Sequence, residues 1–136
     1  MADKIHFQIA TADGSICDEM ISYALVPMTN GDAGIMAGHA PMLAALREGV
    51  VKYITDGEEH FAALSGGVLS VAYNELIILA RTAEKAEDID IARAQASEGR
   101  ARARIEHKAS ELDIKRAELS LYRALAREKA YSMLHK

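Results

Sequence analysis

Turn-forming residues are confined to one part of this 136-residue chain, and that confinement limits the folds open to it. Eight of the nine glycines and both prolines lie at or before Gly67, leaving only Gly99 beyond. Glycine and proline punctuate turns between short strands, whereas a stretch without them that is rich in Ala, Arg, Glu and Leu favours helix. Ten of the 50 residues in 87–136 are alanine. Charge changes at the same place: residues 1–86 carry 11 acids and 5 bases, a net of −6, while 87–136 carry 9 acids and 11 bases, a net of +2. The expectation is an α+β molecule of two parts, a β domain over 1–86 and a helical domain over 87–136.

Several function classes are disfavoured at once. The chain as a whole carries −4, and a phosphate backbone calls for a dense basic face, so no nucleic-acid partner is expected. No apolar run approaches the roughly 18–20 residues that span a bilayer. The first residues have neither the basic start nor the apolar stretch of a signal peptide. Cys17 is the single cysteine and has no internal partner, which suits a reducing compartment. A soluble intracellular protein is the expectation.

Within the first part, Ile5, Phe7 and Ile9 alternate with polar residues at the period of a half-buried strand. Thr11–Gly14 reads as a turn, and Ile21–Val26 as a strand closed by Pro27. Val50–Thr55 meets Asp56-Gly57, a strong hairpin signal, and a strand near His60–Leu64 follows. Gly66-Gly67 interrupts the pattern as a tight bend, Val68–Ala72 resumes it, and Tyr73–Glu75 turns into Leu76–Ala80. Short strands between turns predict an antiparallel β-sandwich.

The second part predicts an antiparallel two-helix hairpin. Ile89, Ala92, Ala96, Gly99 and Ala103 share one helix face, made almost wholly of small residues. Ile114, Ala117, Leu121 and Leu125 share another, broadened by Leu112 and Leu119. The pattern lapses from Glu106 to Ser110, where Ser110 and Asp113 fit a helix cap. A seam of alanine buries little area at about 25 cal/mol per Å², so the hairpin is expected to be able to leave its docking site.

Two motifs go further. Gly34-Ile35-Met36-Ala37-Gly38-His39-Ala40-Pro41-Met42-Leu43, together with Leu64-Ser65-Gly66-Gly67, resembles the epsilon subunit family of F-type ATP synthases, and Ile89-Asp90-Ile91-Ala92-Arg93-Ala94 is similar to that family's nucleotide motif. The resemblance runs from the first strand to the last helix and departs at Ala37, where proline is commoner. It implies a non-catalytic rotor subunit whose β-sandwich binds the gamma subunit and the membrane-embedded ring of c subunits. The helical arm would extend along gamma to the alpha and beta subunits of the catalytic head and stop ATP hydrolysis. It also implies a peripheral position on the cytoplasmic face of a bacterial membrane. ATP, alone or with magnesium, would be a regulatory ligand, with no cofactor required.

The site residues follow from the same resemblance. Positions matching Glu84, Ile89, Asp90, Arg93, Ala94, Arg100, Arg123 and Arg127 contribute to ATP binding in family members that bind it, and those residue types are all present. Arg116 extends the row on the second helix, seven residues before Arg123. Guanidinium forks suit a polyphosphate, Ile89 and Ala94 offer apolar contact to a purine, and Asp90 can accept from an adenine amino group. Read without the family, Asp90 and Arg93 are an exposed ion pair within a helix, worth about 0.3–0.5 kcal/mol. Asp32 is a solvated turn residue or, by resemblance, an acid facing the c ring; His39 has no partner for catalysis and reads as an interface or structural residue. The histidines lack metal-ligand spacing, so no metal site is expected, and Gly66-Gly67 has neither the lysine nor the helix of a phosphate loop. A stand-alone nucleotide sensor and a helical-hairpin adaptor remain as alternatives.

Overall fold

The computed structural model describes residues 3–107 and 110–136. Eight strands come first: β1 (Ile5–Thr11), β2 (Gly14–Ile21), β3 (Tyr23–Met28), β4 (Gly31–Ile35), β5 (Met42–Thr55), β6 (Glu58–Ala72), β7 (Glu75–Ala80) and β8 (Ala83–Lys85). A 3-10 turn at Ala86–Asp88 leads to α1 (Ile91–His107) and α2 (Glu111–Leu134). The strands run in the order β2-β1-β7-β6-β5-β3-β4, with β8 on β6, as a sandwich-like mixed sheet followed by two packed helices.

The alternation in β1 carries its expected meaning, since Ile5, Phe7 and Ile9 are fully buried. They meet Ile21, Val26, Ile35, Leu69, Val71, Leu76 and Ile78 in one core, where the Phe7 and Tyr53 rings lie 5.1 Å apart. The sheet is not wholly antiparallel, however. β1 and β7 pair in parallel, from His6 opposite Glu75 to Ala10 opposite Leu79. Side-chain periodicity is the same in either direction, and strands this far apart in sequence are free of the antiparallel geometry a tight turn imposes.

Several strand assignments also change, and β4, β8 and the 42–49 part of β5 had no expected counterpart. β2 carries Asp18 and Glu19 and buries little beyond Cys17 and Ile21; as an edge strand it has almost no apolar signature. The Ile21–Val26 run is split at Ser22, whose N–H donates to the Ile54 carbonyl at 2.9 Å. Pro27 lies inside β3, where the ladder to β5 lapses between Leu25 and Met28, so its missing N–H leaves no bond unmade. Gly66-Gly67 does not end a strand. β6 runs through both, and its pairing to β5 passes from Glu48–Ser65 to Leu46–Gly67 without a change of register, while both glycines take positive φ. Gly67 has φ +137°, and a Cβ there would meet the Leu79 carbonyl oxygen at 2.1 Å.

The helices pack antiparallel: the start of α1 faces Arg127 on α2, and Arg104 and His107 face Asp113 and Ala117. Ser110 caps α2 by accepting from the Asp113 N–H at 3.1 Å. The buried face of α1 differs from the expected one. Ala94 and Ala101 are buried, whereas Ala92, Ala96, Gly99 and Ala103 are exposed. In a helix with alanine on several faces, 3-4 spacing does not single out one of them. On α2 the buried residues are Ala117, Ala124, Ala126 and Ala130, with Leu112, Leu119 and Leu125 left exposed. α2 docks on β5 and β6 through a cluster of Phe61, Ala63, Ala86, Ile89, Ala126 and Ala130. Four of those six are alanine, a small apolar area for holding a helical pair.

Candidate functional site

The arm and the sheet edge enclose a polar cleft of about 430 Å³, lined by Glu84, Asp88, Asp90, Arg93, Ala94, Ser97, Arg100 and Arg127. Each element contributes for a local reason. β8 is short but hydrogen-bonded to β6, with Glu84 opposite Ala63, which holds Glu84 at the mouth. Asp90 immediately precedes α1, and its carboxylate accepts from the Arg93 N–H at 3.1 Å. Asp90 is thus the cap of the helix rather than half of an ion pair within it, and one of its oxygens is fixed towards the backbone. Arg93, Ser97 and Arg100 follow at 3-4 spacing on one face of α1. Arg127 comes from α2 across the cleft.

The cleft is formally neutral, with three acids against three arginines. Part of the positive charge is engaged: the Arg127 Nε lies 3.3 Å from Glu84 Oε1, and Arg100 Nη2 donates to Ser97 Oγ at 3.0 Å. Among the described residues Arg93 makes no ion pair. Three guanidiniums from two helices, one free and one held by an exposed carboxylate, have the chemistry to take a multiply charged anion once Glu84 gives way.

Six of the nine residues expected at a nucleotide site therefore meet: Glu84, Asp90, Arg93, Ala94, Arg100 and Arg127. Arg123 lines an adjoining cavity of about 120 Å³ that shares Glu84 and Arg127, and it donates to Ser120 Oγ at 3.1 Å. Arg116 is elsewhere, at the far end of the hairpin beside Arg104, His107 and Asp113. Ile89 is buried in the docking cluster under α2. Asp88 and Ser97 were missed as lining residues. Ser97 was findable, because it lies four residues after Arg93 and three before Arg100 on the same face.

The two residues considered for an interface lie on the sheet domain. Asp32 is on β4, opposite Pro27 rather than in the preceding turn, and Arg47 of β5 pairs with its carboxylate. His39 lies in the β4–β5 loop, its Nδ1 2.7 Å from the Ala40 carbonyl. That loop is pinned by Asn74, which accepts from the Gly38 N–H at 3.3 Å and donates to the Lys4 carbonyl at 2.8 Å. Among the described residues no three His, Cys, Asp or Glu side chains gather as a metal-binding group.

Comparison with known proteins matches both parts. The family model for the β-sandwich domain of the ATP synthase delta/epsilon chain covers residues 4–86, and that for its long alpha-helix domain covers 87–132. The ATP synthase epsilon chain of Carboxydothermus hydrogenoformans is 39% identical over 105 residues, 77% of this chain and 78% of that one. That of Lawsonia intracellularis is 38% identical over 105 residues, 77% and 79%. Among solved structures, a chain of the Euglena gracilis mitochondrial ATP synthase (OSCP/F1/c-ring, rotational state 1) shares the fold with TM-score 0.81 at 22% identity, over 93% of this chain and 81% of that one. A chain of the Tetrahymena thermophila mitochondrial ATP synthase central stalk/c-ring shares it with TM-score 0.62 at 13% identity, over 95% and 97%. The chain belongs to the ATP synthase delta/epsilon family, as a member of the epsilon type, which is non-catalytic.

Proposed function

We propose that this chain is the epsilon subunit in the central stalk of a bacterial F-type ATP synthase, with an arm that senses ATP. In this reading residues 1–86 are the domain that binds gamma and the c ring, with Asp32 and His39 at that interface, and residues 87–136 are the regulatory arm. Attachment to the membrane is peripheral, on its cytoplasmic face and through partner subunits; no helix among the described residues is long and apolar enough to cross a bilayer.

One observation carries the ATP-sensing reading: Arg93 and Arg100 of α1 and Arg127 of α2 converge on one cleft. The three guanidiniums bind the phosphates, with Arg127 exchanging Glu84 for a phosphate oxygen. Asp90, already oriented by the Arg93 N–H, accepts from the adenine amino group, and Ala94 lies against the ring. Because both helices supply ligands, binding favours the closed hairpin alone. The stabilisation is RT ln(1 + [L]/Kd), about 2.7 kcal/mol at a hundredfold excess over Kd, enough to compete with an alanine-rich docking cluster. In the open arm Arg116, Arg123 and Arg127 instead face acidic segments of the catalytic head, so ATP and the head compete for them.

Calorimetric titration of the isolated chain with ATP tests this. Arg93→Ala removes a charge-assisted partner worth about 1.5–3 kcal/mol and lowers affinity roughly tenfold to a hundredfold. Asp90→Ala also weakens binding and reduces preference for adenine over guanine. No heat, and no ATP-dependent rise in melting temperature, overturns the ATP site. Removing residues from Asp88 onward raises hydrolysis by the assembled enzyme, or leaves it unchanged if inhibition comes from elsewhere, and spares coupling; complete uncoupling of proton flow contradicts the division of roles. A stand-alone nucleotide sensor would be recovered from membranes without gamma or the catalytic subunits, and that recovery overturns the rotor reading.

A further inference from the structure

Two carboxyl groups meet across the seam between the helices. Glu98 of α1 and Glu128 of α2 are within hydrogen-bonding reach of one another. Glu98 also accepts from Arg102 Nε, one turn further along α1, at 2.7 Å, and its side chain is only 23% exposed. Glu128 Oε2 is shut off from solvent and has no hydrogen-bond partner among the described residues. Carboxylates in contact repel when both are ionised, and a buried acceptor without a donor is costly. Arg102 neutralises one of the two charges and leaves the other.

A single proton removes both problems. Carried by Glu128, it is donated to Glu98, whose other interaction is with Arg102. We propose that Glu98 and Glu128 form a one-proton latch that fastens α1 to α2 and loosens when the proton leaves. The charged groups acting on Glu128 are Glu98 and Arg102, both of α1. Its neighbour on α2, Arg127, is turned to Glu84. The latch is therefore separate from the nucleotide reading, and it is tested without nucleotide.

Burial, then the nearby Glu98 carboxyl, holds Glu128 above its ordinary value of 4.5. Arg102, then Glu128, holds Glu98 below the same ordinary value. The signs differ. A raised group binds its proton more tightly in the closed hairpin, so its contribution is present at low pH and is lost as pH rises through the raised value. A lowered group contributes above 4.5, and that contribution is lost as pH falls through the lowered value. The closed hairpin is thus most stable between the two, where one proton is shared.

Hydrogen exchange on the full chain, corrected for intrinsic rates and read from pH 4.5 to 8, tests the latch, with β6 amides as the internal reference. Protection of α1 and α2 should fall about tenfold for each pH unit by which the Glu128 titration is raised, while β6 stays constant. Glu128→Gln keeps a donor to Glu98 without a titrating proton, so the fall should vanish and the hairpin should remain protected at pH 8. A wild-type hairpin whose protection is independent of pH, or a Glu128→Gln profile that matches wild type, overturns the latch. Carboxyl 13C titration of the wild type keeps the test decisive if the variant fails to fold. A Glu128 midpoint above 4.5 that drops in Glu98→Gln supports the latch; an ordinary midpoint overturns it.

Discussion

The sandwich core and the helical seam both consist of fully buried residues, yet they hold their elements with different strength. In the sandwich Phe7, Ile9, Leu69 and Ile78 have no exposed surface. In the seam between the helices the buried positions are Ala94, Ala101, Ala117 and Ala124, apart from Ala126 and Ala130, which dock on the sheet. Burial as a fraction is equal, but apolar area per residue is far smaller for alanine, and stabilisation follows area. Alanine allows the helices close approach, which brings polar side chains such as Glu98, Glu128, Arg100 and Arg127 within reach across the gap. The seam therefore carries charge where the core carries packing, and in the reading proposed above it is the closure of the arm that depends on ligand and pH.

That contrast can be broken at several points. Phe7→Ala should cost about 3–5 kcal/mol of global stability, read as a lower denaturation midpoint for sheet and helix signals together. If the hairpin alone loosened, the sandwich would not be the support. A chain ending at residue 86 loses only the docking cluster, so it should retain a cooperative β transition and still co-purify with gamma; an unfolded fragment would make the arm part of the core. Ser110→Ala removes the cap bond to the Asp113 N–H and should cost about 1 kcal/mol, seen as faster exchange in the first turn of α2 with β6 unaffected.

The smallest effect sharpens the comparison from the sandwich side. His6 Nε2 lies 2.5 Å from Asp18 Oδ1 on the sheet surface, and its Nδ1 lies 3.7 Å from Glu75 Oε1. The bond to Asp18 raises the His6 pKa from its ordinary 6.5, and the bond to His6 lowers that of Asp18 from 3.8. The His6 contribution is present below 6.5 and lost as pH rises through the raised value, while the Asp18 contribution is present above 3.8 and lost as pH falls through the lowered one. The pair is best formed between those ordinary values. Both side chains are on the surface, so Asp18→Asn should flatten a shallow pH dependence of melting without altering the fold; a large drop in melting temperature would mean the surface pair matters more than the core beneath it.

Legibility followed how much a residue's neighbours in sequence decide its place. The Asp56-Gly57 hairpin was readable because both residues adopt positive φ, 51° and 80°, which that dipeptide tolerates. Ser110 was readable as a cap because its partner is three residues away. β2 was not, since Asp18 is exposed on an edge strand and Glu19, half-buried beside Cys17, puts a charge on the inward face, which leaves no apolar pattern. The split at Ser22 was hidden because its fixing partner is the Ile54 carbonyl, 32 residues later. In the candidate cleft, residue types came from motif and spacing. That Arg127 reaches the same space as Arg93 while Arg116 does not depends on where α2 lies against α1.

The sequence by itself determined the change from strands to helices, the alternating core of β1, the tight hairpin turns, the cap of α2 and the smallness of the hairpin's buried residues. These are set by backbone preference and periodicity, which act over a few residues. Tertiary structure alone decided that β1 and β7 run parallel, that Gly66-Gly67 lies within one strand instead of separating two, and that Ala94 and Ala101 rather than Ala92, Ala96 and Ala103 form the seam. Each of those outcomes sets one surface against another distant in sequence. Several pairings satisfy the same local pattern, and the choice among them rests on which one buries the most area without stranding a polar group.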